Sequence, residues 1–296
     1  MTTRFLDPVV LARIDDLELL ARTVVDGFIS GLHQSPYLGL STDFAEHRPY
    51  MPGDDIRRVD WRVYGRTDRF YVKEFEADTN ANVSILLDVS RSMAYGSGPI
   101  TKLDYAKFLA AALAYLSRRQ RDRIGLVAFD SGIVERIPPA ARHLEQVLHA
   151  LDRLEPAGKG ELARPLRLIA ETLNRRSLLI LISDLYEQTD SVVSAVNDLR
   201  DRGNDVIVLQ VLDPVELEFP FDQPAHFEDL ETGDRIPVVP ERQGERYREL
   251  MRTHVETLGR RFGESRVDYM TFPTSKPLDF ALFEYLNRRR ALTRVR

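Results

Sequence analysis

Val83-Ser84-Ile85-Leu86-Leu87-Asp88-Val89-Ser90-Arg91-Ser92-Met93 decides how this chain is read. A short apolar run, β-branched at its start and closed by a polar loop, has the texture of a strand buried on both faces of a parallel sheet. Asp88 then stands at the strand's carboxyl end, the edge at which open α/β sheets place their ligands. Two hydroxyls follow at alternate positions. A carboxylate with two hydroxyls is a hard oxygen donor set, better suited to Mg²⁺ than to a transition metal.

Working outward, strands and helices alternate regularly. A helix is expected over Lys102–Arg119, then strands at Ile124–Phe129 and Ile133–Ile137 joined by a hairpin at Asp130-Ser131-Gly132. Helices at Ala141–Leu154 and Ala163–Arg175 precede a second buried strand, Leu178–Asp184, which also ends in a carboxylate. A helix at Ser191–Arg202 leads to a third, Val206–Leu212, followed by Asp213. Such apolar runs separated by helices predict an α/β fold with a doubly wound, mostly parallel sheet and helices on both faces. The turn Glu231-Thr232-Gly233-Asp234 between Phe227–Leu230 and Arg235–Val239 predicts a β-hairpin inserted before the last strand. A long helix at Glu241–Phe262, a strand at Arg266–Phe272 and a helix at Leu278–Arg289 complete the pattern.

The N-terminal part differs. Apolar residues at helical spacing from Pro8 to Leu32 predict one amphipathic helix ending near Gly31. From Ser35 to Asn80 proline, glycine and charge predominate; Arg69–Phe75 alternates like a strand, and the earlier part reads as loop. The expected division is residues 1–80 as an N-terminal helix and strand segment packed on the main domain, and 81–296 as that domain, with the hairpin near 225–240.

The chain has 296 residues and a formal net charge of -5, against the strongly basic footprint of a dedicated nucleic-acid binder. It has no cysteine, which excludes a disulfide framework, a thiolate metal site and a cysteine nucleophile. No apolar stretch approaches the roughly 20 residues of a membrane span, and no secretory leader pattern is visible. The expected location is the cytoplasm.

In a doubly wound sheet, strands on either side of the topological switch bring their carboxyl ends together, so Asp88 and Asp184 are expected to face one crevice with Ser90 and Ser92. Mg²⁺ or Mn²⁺ held there would keep an open position for an acidic side chain of a partner. The competing reading makes the same residues ordinary helix caps.

Asp88-Val-Ser90-Arg-Ser92-Met93, together with Asp184 in Ile182-Ser-Asp-Leu185, resembles the metal-ion-dependent adhesion site of von Willebrand factor A-type domains. Upstream, Tyr50-Met-Pro-Gly53-Asp54-Asp55-Ile-Arg57-Arg58-Val-Asp60-Trp61-Arg62, then Gly65-Arg66-Thr67 and Val72-Lys73-Glu74-Phe75, resembles the signature of the domain of unknown function 58 family. The resemblance implies a bacterial-type intracellular protein on a von Willebrand factor A-like sheet of strand order 3-2-1-4-5-6. It implies a MoxR-type AAA+ ATPase as partner, in the assembly or activation of a client protein. It also implies direct ligation by Ser90 and Ser92, water-mediated ligation by Asp88 and Asp184, and a further threonine from the loop before the second acidic strand. That loop is Gly158-Lys-Gly160-Glu161-Leu162, with Gly160 at the hydroxyl position and Glu161 beside it. Water or the Glu161 carboxylate is expected to replace the missing oxygen, and the metal to bind more weakly.

Two further readings carry their own residues. Arg57, Arg58, Asp60, Trp61 and Arg66 are expected either to dock a partner or to form an internal ion-pair and packing cluster anchored by Trp61. The wider Arg57–Lys73 segment also has the arginine and aromatic composition used on nucleic acid, but its acids offset most of that charge. An enzymatic alternative is a Mg²⁺-dependent phosphotransferase or phosphatase with Asp88 as nucleophile. The Ala157–Glu161 stretch lacks the hydroxyl residue and preceding strand of a Walker A loop, and no Gly-x-Ser-x-Gly elbow occurs. The non-enzymatic, metal-dependent protein-binding module is therefore the preferred expectation.

Overall fold

The computed structural model describes residues 7–34, 47–50, 61–73, 81–173, 176–283 and 285. Its centre is strand β3 (Asn82–Asp88), paired in parallel with β4 (Arg123–Phe129) on one side and β6 (Leu178–Ser183) on the other. Beyond β6 lie β7 (Asp205–Leu212) and β10 (Asp268–Pro273), both parallel; beyond β4 lies the antiparallel edge strand β5 (Ile133–Ala140). The spatial order β5-β4-β3-β6-β7-β10 is the expected 3-2-1-4-5-6 when these six strands alone are counted.

Alternation divides the core into two layers. Val83, Ile85 and Leu87 pack beneath α4 (Lys102–Arg119), α5 (Leu144–Arg153) and the helical segment 278–283. Leu86 of β3, with Val127 and Phe129 of β4, packs against α6 (Ala163–Thr172), α7 (Thr189–Asp201) and α9 (Pro240–Glu264). Helices thus cover both faces, as a parallel sheet requires. The hairpin β8 (Ala225–Glu228) and β9 (Arg235–Val238) lies in the chain between β7 and β10.

Three N-terminal and connecting elements depart from expectation. The single helix from Pro8 to Leu32 is two: α1 (Pro8–Leu11) and α2 (Leu17–Gln34). Asp16 causes the restart, because its Oδ1 accepts the amides of Glu18 at 2.8 Å and Leu19 at 3.1 Å and so caps α2. The expected loop before Arg69 contains a strand, β1 (His47–Pro49), and a helix, α3 (Trp61–Thr67), while the expected strand is the short β2 (Tyr71–Lys73), antiparallel to β1. Tyr64 on α3 stacks on Phe70 with ring centroids 4.4 Å apart. That tertiary contact supports a helix whose Gly65 and exposed charges disguised it. A short helix, α8 (Pro214–Glu218), follows β7 where no element was expected.

Candidate functional site

Asp88 closes β3, and Asp184 follows the last residue of the adjacent β6, so neighbouring strand ends deliver both carboxylates to one crevice. Each is almost wholly buried. Asp88 Oδ1 accepts the Ser90 amide at 2.9 Å, and its Oδ2 accepts the Ser183 hydroxyl at 2.6 Å. Ser90 and Ser92 bring their hydroxyl oxygens to 3.1 Å. Neighbouring corners of a Mg²⁺ octahedron with ligand distances of about 2.1 Å lie about 3.0 Å apart. The serine pair therefore already has the spacing of two adjacent ligands.

Helix capping does not account for these groups. Ser90 precedes the 3-10 turn Arg91–Ala94 yet makes no side-chain capping bond, and α7 begins after Gln188, not at Asp184. The capping role falls to the third strand-terminal carboxylate. Asp213 accepts the Val215 amide at the start of α8 and also holds Ser97, by its amide at 2.9 Å and its hydroxyl at 2.6 Å. Asp184 is fixed from beneath by Gln210, a polar residue in the buried β7, whose side-chain amide donates to the Asp184 carbonyl at 2.8 Å.

Sequence reasoning missed Lys102. Its ammonium, fully buried, donates to Asp184 Oδ2 and to Glu216 Oε1, each at 2.8 Å, and lies 4.6 Å from the Tyr186 ring centroid. Burial alone would lower the lysine's pKa, but the two carboxylates outweigh it and hold the value above the ordinary one. The signal was present: Lys102 shares a stripe with Ala106, Leu109 and Leu113, all buried, on a face that otherwise carries no charge. Among the described residues Asp88 has no such counter-ion. Burial first and the Asp184 charge second push its carboxyl up to about 7, against the lowering hydrogen bonds from Ser183 and Ser90.

The 157–162 loop lies against the serine loop, the Ala157 amide donating to Val89 O at 2.8 Å and the Arg91 amide to Gly158 O at 3.3 Å. Two distant carboxylates clasp it. Glu187, just after Asp184, accepts the Leu162 amide, and Glu231, in the hairpin turn, accepts the Gly160 amide at 2.9 Å. Glu161 is exposed. The carboxylate that reaches position 160 is thus Glu231, which adjacency in sequence did not reveal. Among the described residues no three His, Cys, Asp or Glu side chains are arranged to hold an ion, so the serine oxygens are indispensable to any cation site here. With that proviso the donor set fits Mg²⁺ or Mn²⁺: hard oxygens only, two already at ligand spacing, and an excess of carboxylates over the one buried ammonium.

A cavity of about 340 Å³ opens beside Ser92 and Lys102, between the hairpin and α9, and is walled by Phe219, Phe221, Phe227 and Tyr247. Of the expected docking residues, Arg57, Arg58 and Asp60 lie outside the described residues. Trp61 is 58% exposed and meets Tyr64 and Phe70 edge-on, so it is a surface aromatic and not the anchor of an internal cluster. Arg66 is exposed. No helix among the described residues is long and apolar enough to cross a membrane.

The sequence matches the family model described as "Protein of unknown function DUF58" over residues 46–257. It is 29% identical over 234 residues to the uncharacterized proteins Rv1480 of Mycobacterium tuberculosis and Mb1516 of Mycobacterium bovis, covering 77% of this chain and 73% of each relative. Among solved structures, it is similar to an aerotolerance-related membrane protein from Bacteroides fragilis, with a TM-score of 0.51 and 20% identity over 70% of this chain and 99% of that one. The SpRpn10 VWA domain matches with a TM-score of 0.44 and 10% identity, over 68% of this chain and 94% of that one. The sheet order and the likeness to the Bacteroides fragilis structure agree with the von Willebrand factor A-like fold expected from the sequence.

Proposed function

The chain belongs to the DUF58 family, and from that premise we propose that it is a non-enzymatic, cation-dependent protein-binding module, an adaptor or co-chaperone for a cytoplasmic MoxR-type AAA+ ATPase acting on a client protein. The observation that carries the reading is the Ser90 and Ser92 hydroxyl pair, 3.1 Å apart, in the loop that follows Asp88, one of two buried strand-end carboxylates at the switch point of the sheet. A von Willebrand factor A-like fold is itself suited to protein interaction. Bound Mg²⁺ or Mn²⁺ would offer an acidic side chain of the partner a coordination position. This chain's own part is to orient the hydroxyls through the Asp88 and Ser90 hydrogen bond, and to keep Asp184 in place with Lys102 and Gln210.

A phosphotransferase reading has less support, because the position two residues after Asp88, where a second carboxylate would strengthen it, is Ser90. The test is capture of the candidate ATPase by this protein with Mg²⁺, with a chelator, and with Asp88→Ala. Capture should depend on Mg²⁺ and fail in the variant; equal capture in all three conditions would remove the cation-dependent part.

A further inference from the structure

We propose that Glu231, carried on the β8–β9 hairpin, supplies in cis the oxygen that Gly160 cannot, completing the third loop of the cation site. The proposal rests on the cation-binding reading above and names a ligand that sequence adjacency would assign to Glu161.

The geometry at position 160 is the argument. A Cβ placed there would stand 2.6 Å from Glu231 Oε1 and 3.5 Å from Ser90 Cβ. The first distance is closer than a side chain tolerates, so Glu231 occupies the space a residue with a Cβ would need. Ser90 Cβ lies 3.5 Å from that same point, so the Glu231 carboxylate stands at the serine loop, on the side where position 160 would present an oxygen. The absence of a side chain at 160 and the presence of a carboxylate there are thus two sides of one substitution, a threonine-type oxygen exchanged for one brought by an inserted hairpin.

The hairpin is built to present this group. Asp229 Oδ1 accepts the Glu231 amide at 2.7 Å and the Thr232 amide at 3.1 Å, fixing the turn, while Arg235 pairs with Glu228 across the strands at 2.8 Å. Glu231 also lines the cavity that opens beside Ser92. In the present arrangement it accepts the backbone amide of Gly160 at 2.9 Å. Glu161, by contrast, is exposed.

Titration of the intact protein with Mn²⁺, followed by calorimetry and by the electron paramagnetic resonance signal of free Mn²⁺, tests the assignment. Glu231→Gln should weaken binding about tenfold or more, and the double variant Gly160→Thr with Glu231→Ala should recover it, because the hydroxyl returns to a space now vacant. Thermal unfolding of each variant shows that it is folded. Wild-type binding with Glu231→Gln within threefold of it would overturn the proposal and leave the cation reading standing, as would a matching loss in Glu161→Gln instead. No binding by the wild type would overturn both.

Discussion

At the scale of single residues, the most consequential group is a lysine that composition would assign to the surface. Lys102 balances two acids inside the protein, and removing one partner of such a buried set leaves uncompensated charge. Lys102→Met should lower the unfolding free energy by about 3 kcal/mol or more, read from guanidinium denaturation with an unchanged slope. His254 gives a pH signature. Burial, the largest influence, holds its imidazole below the ordinary value of 6.5, against a backbone hydrogen bond at Leu185 and the Asp184 charge. The unfolded chain therefore takes up this proton first as pH falls, so the stability the neutral ring contributes is present above about 6.5 and is lost below it. Urea unfolding at pH 7.5 and 5.5 should show the wild type losing more stability than His254→Leu over that interval; equal losses would show that the ring titrates freely. Asp88 and Asp184 were legible as a pair because strand ends are marked by where the apolar runs stop. The burial of Lys102 was marked by its place on an apolar helix stripe, but its partners were not, nor was the role of Glu231, since each side chain meets its partners only through the fold.

Among the elements, the edge strand β5 shows how backbone chemistry sets a boundary. Pro138 and Pro139 cannot donate to the ladder, and the pairing with β4 shifts register between Ile124 and Leu126. Gly125 sits opposite that irregularity. A Cβ there would lie 2.6 Å from Ile137 O and 2.8 Å from Pro139 N, both backbone atoms that cannot rotate away. Gly125→Ala should cost about 1–3 kcal/mol, whereas Gly132→Ala in the β4–β5 turn, which meets nothing within 4 Å, should stay within about 0.5 kcal/mol of the wild type. Thermal unfolding of the two variants side by side decides it. The strands and α4 were readable because their periodicity spans many residues. The break between α1 and α2 was not, because one capping carboxylate outweighed a continuous apolar stripe, and α3 was hidden because an aromatic stack from outside the helix supports it.

For the molecule as a whole, α2 lies on α4, and Leu20, Val24 and Phe28 belong to the same buried cluster as Leu109 and Leu113. A segment that shares its core with the sheet layer should unfold with it. Leu20→Ala is expected to lower stability by about 2–5 kcal/mol and to shift a single transition, monitored by circular dichroism and by fluorescence of the lone Trp61; two separated transitions would mean that the helix is an independent attachment. The chain's local chemistry was enough to determine the strand sequence, its parallel character and the position of Asp88, because burial on both faces imprints a short apolar run wherever it occurs. Tertiary structure alone decided which charges meet at that edge. An ammonium from the first turn of α4 and a carboxylate 71 residues beyond Gly160 converge there, and pairing between side chains so far apart depends on the path of the whole backbone, which no local pattern encodes.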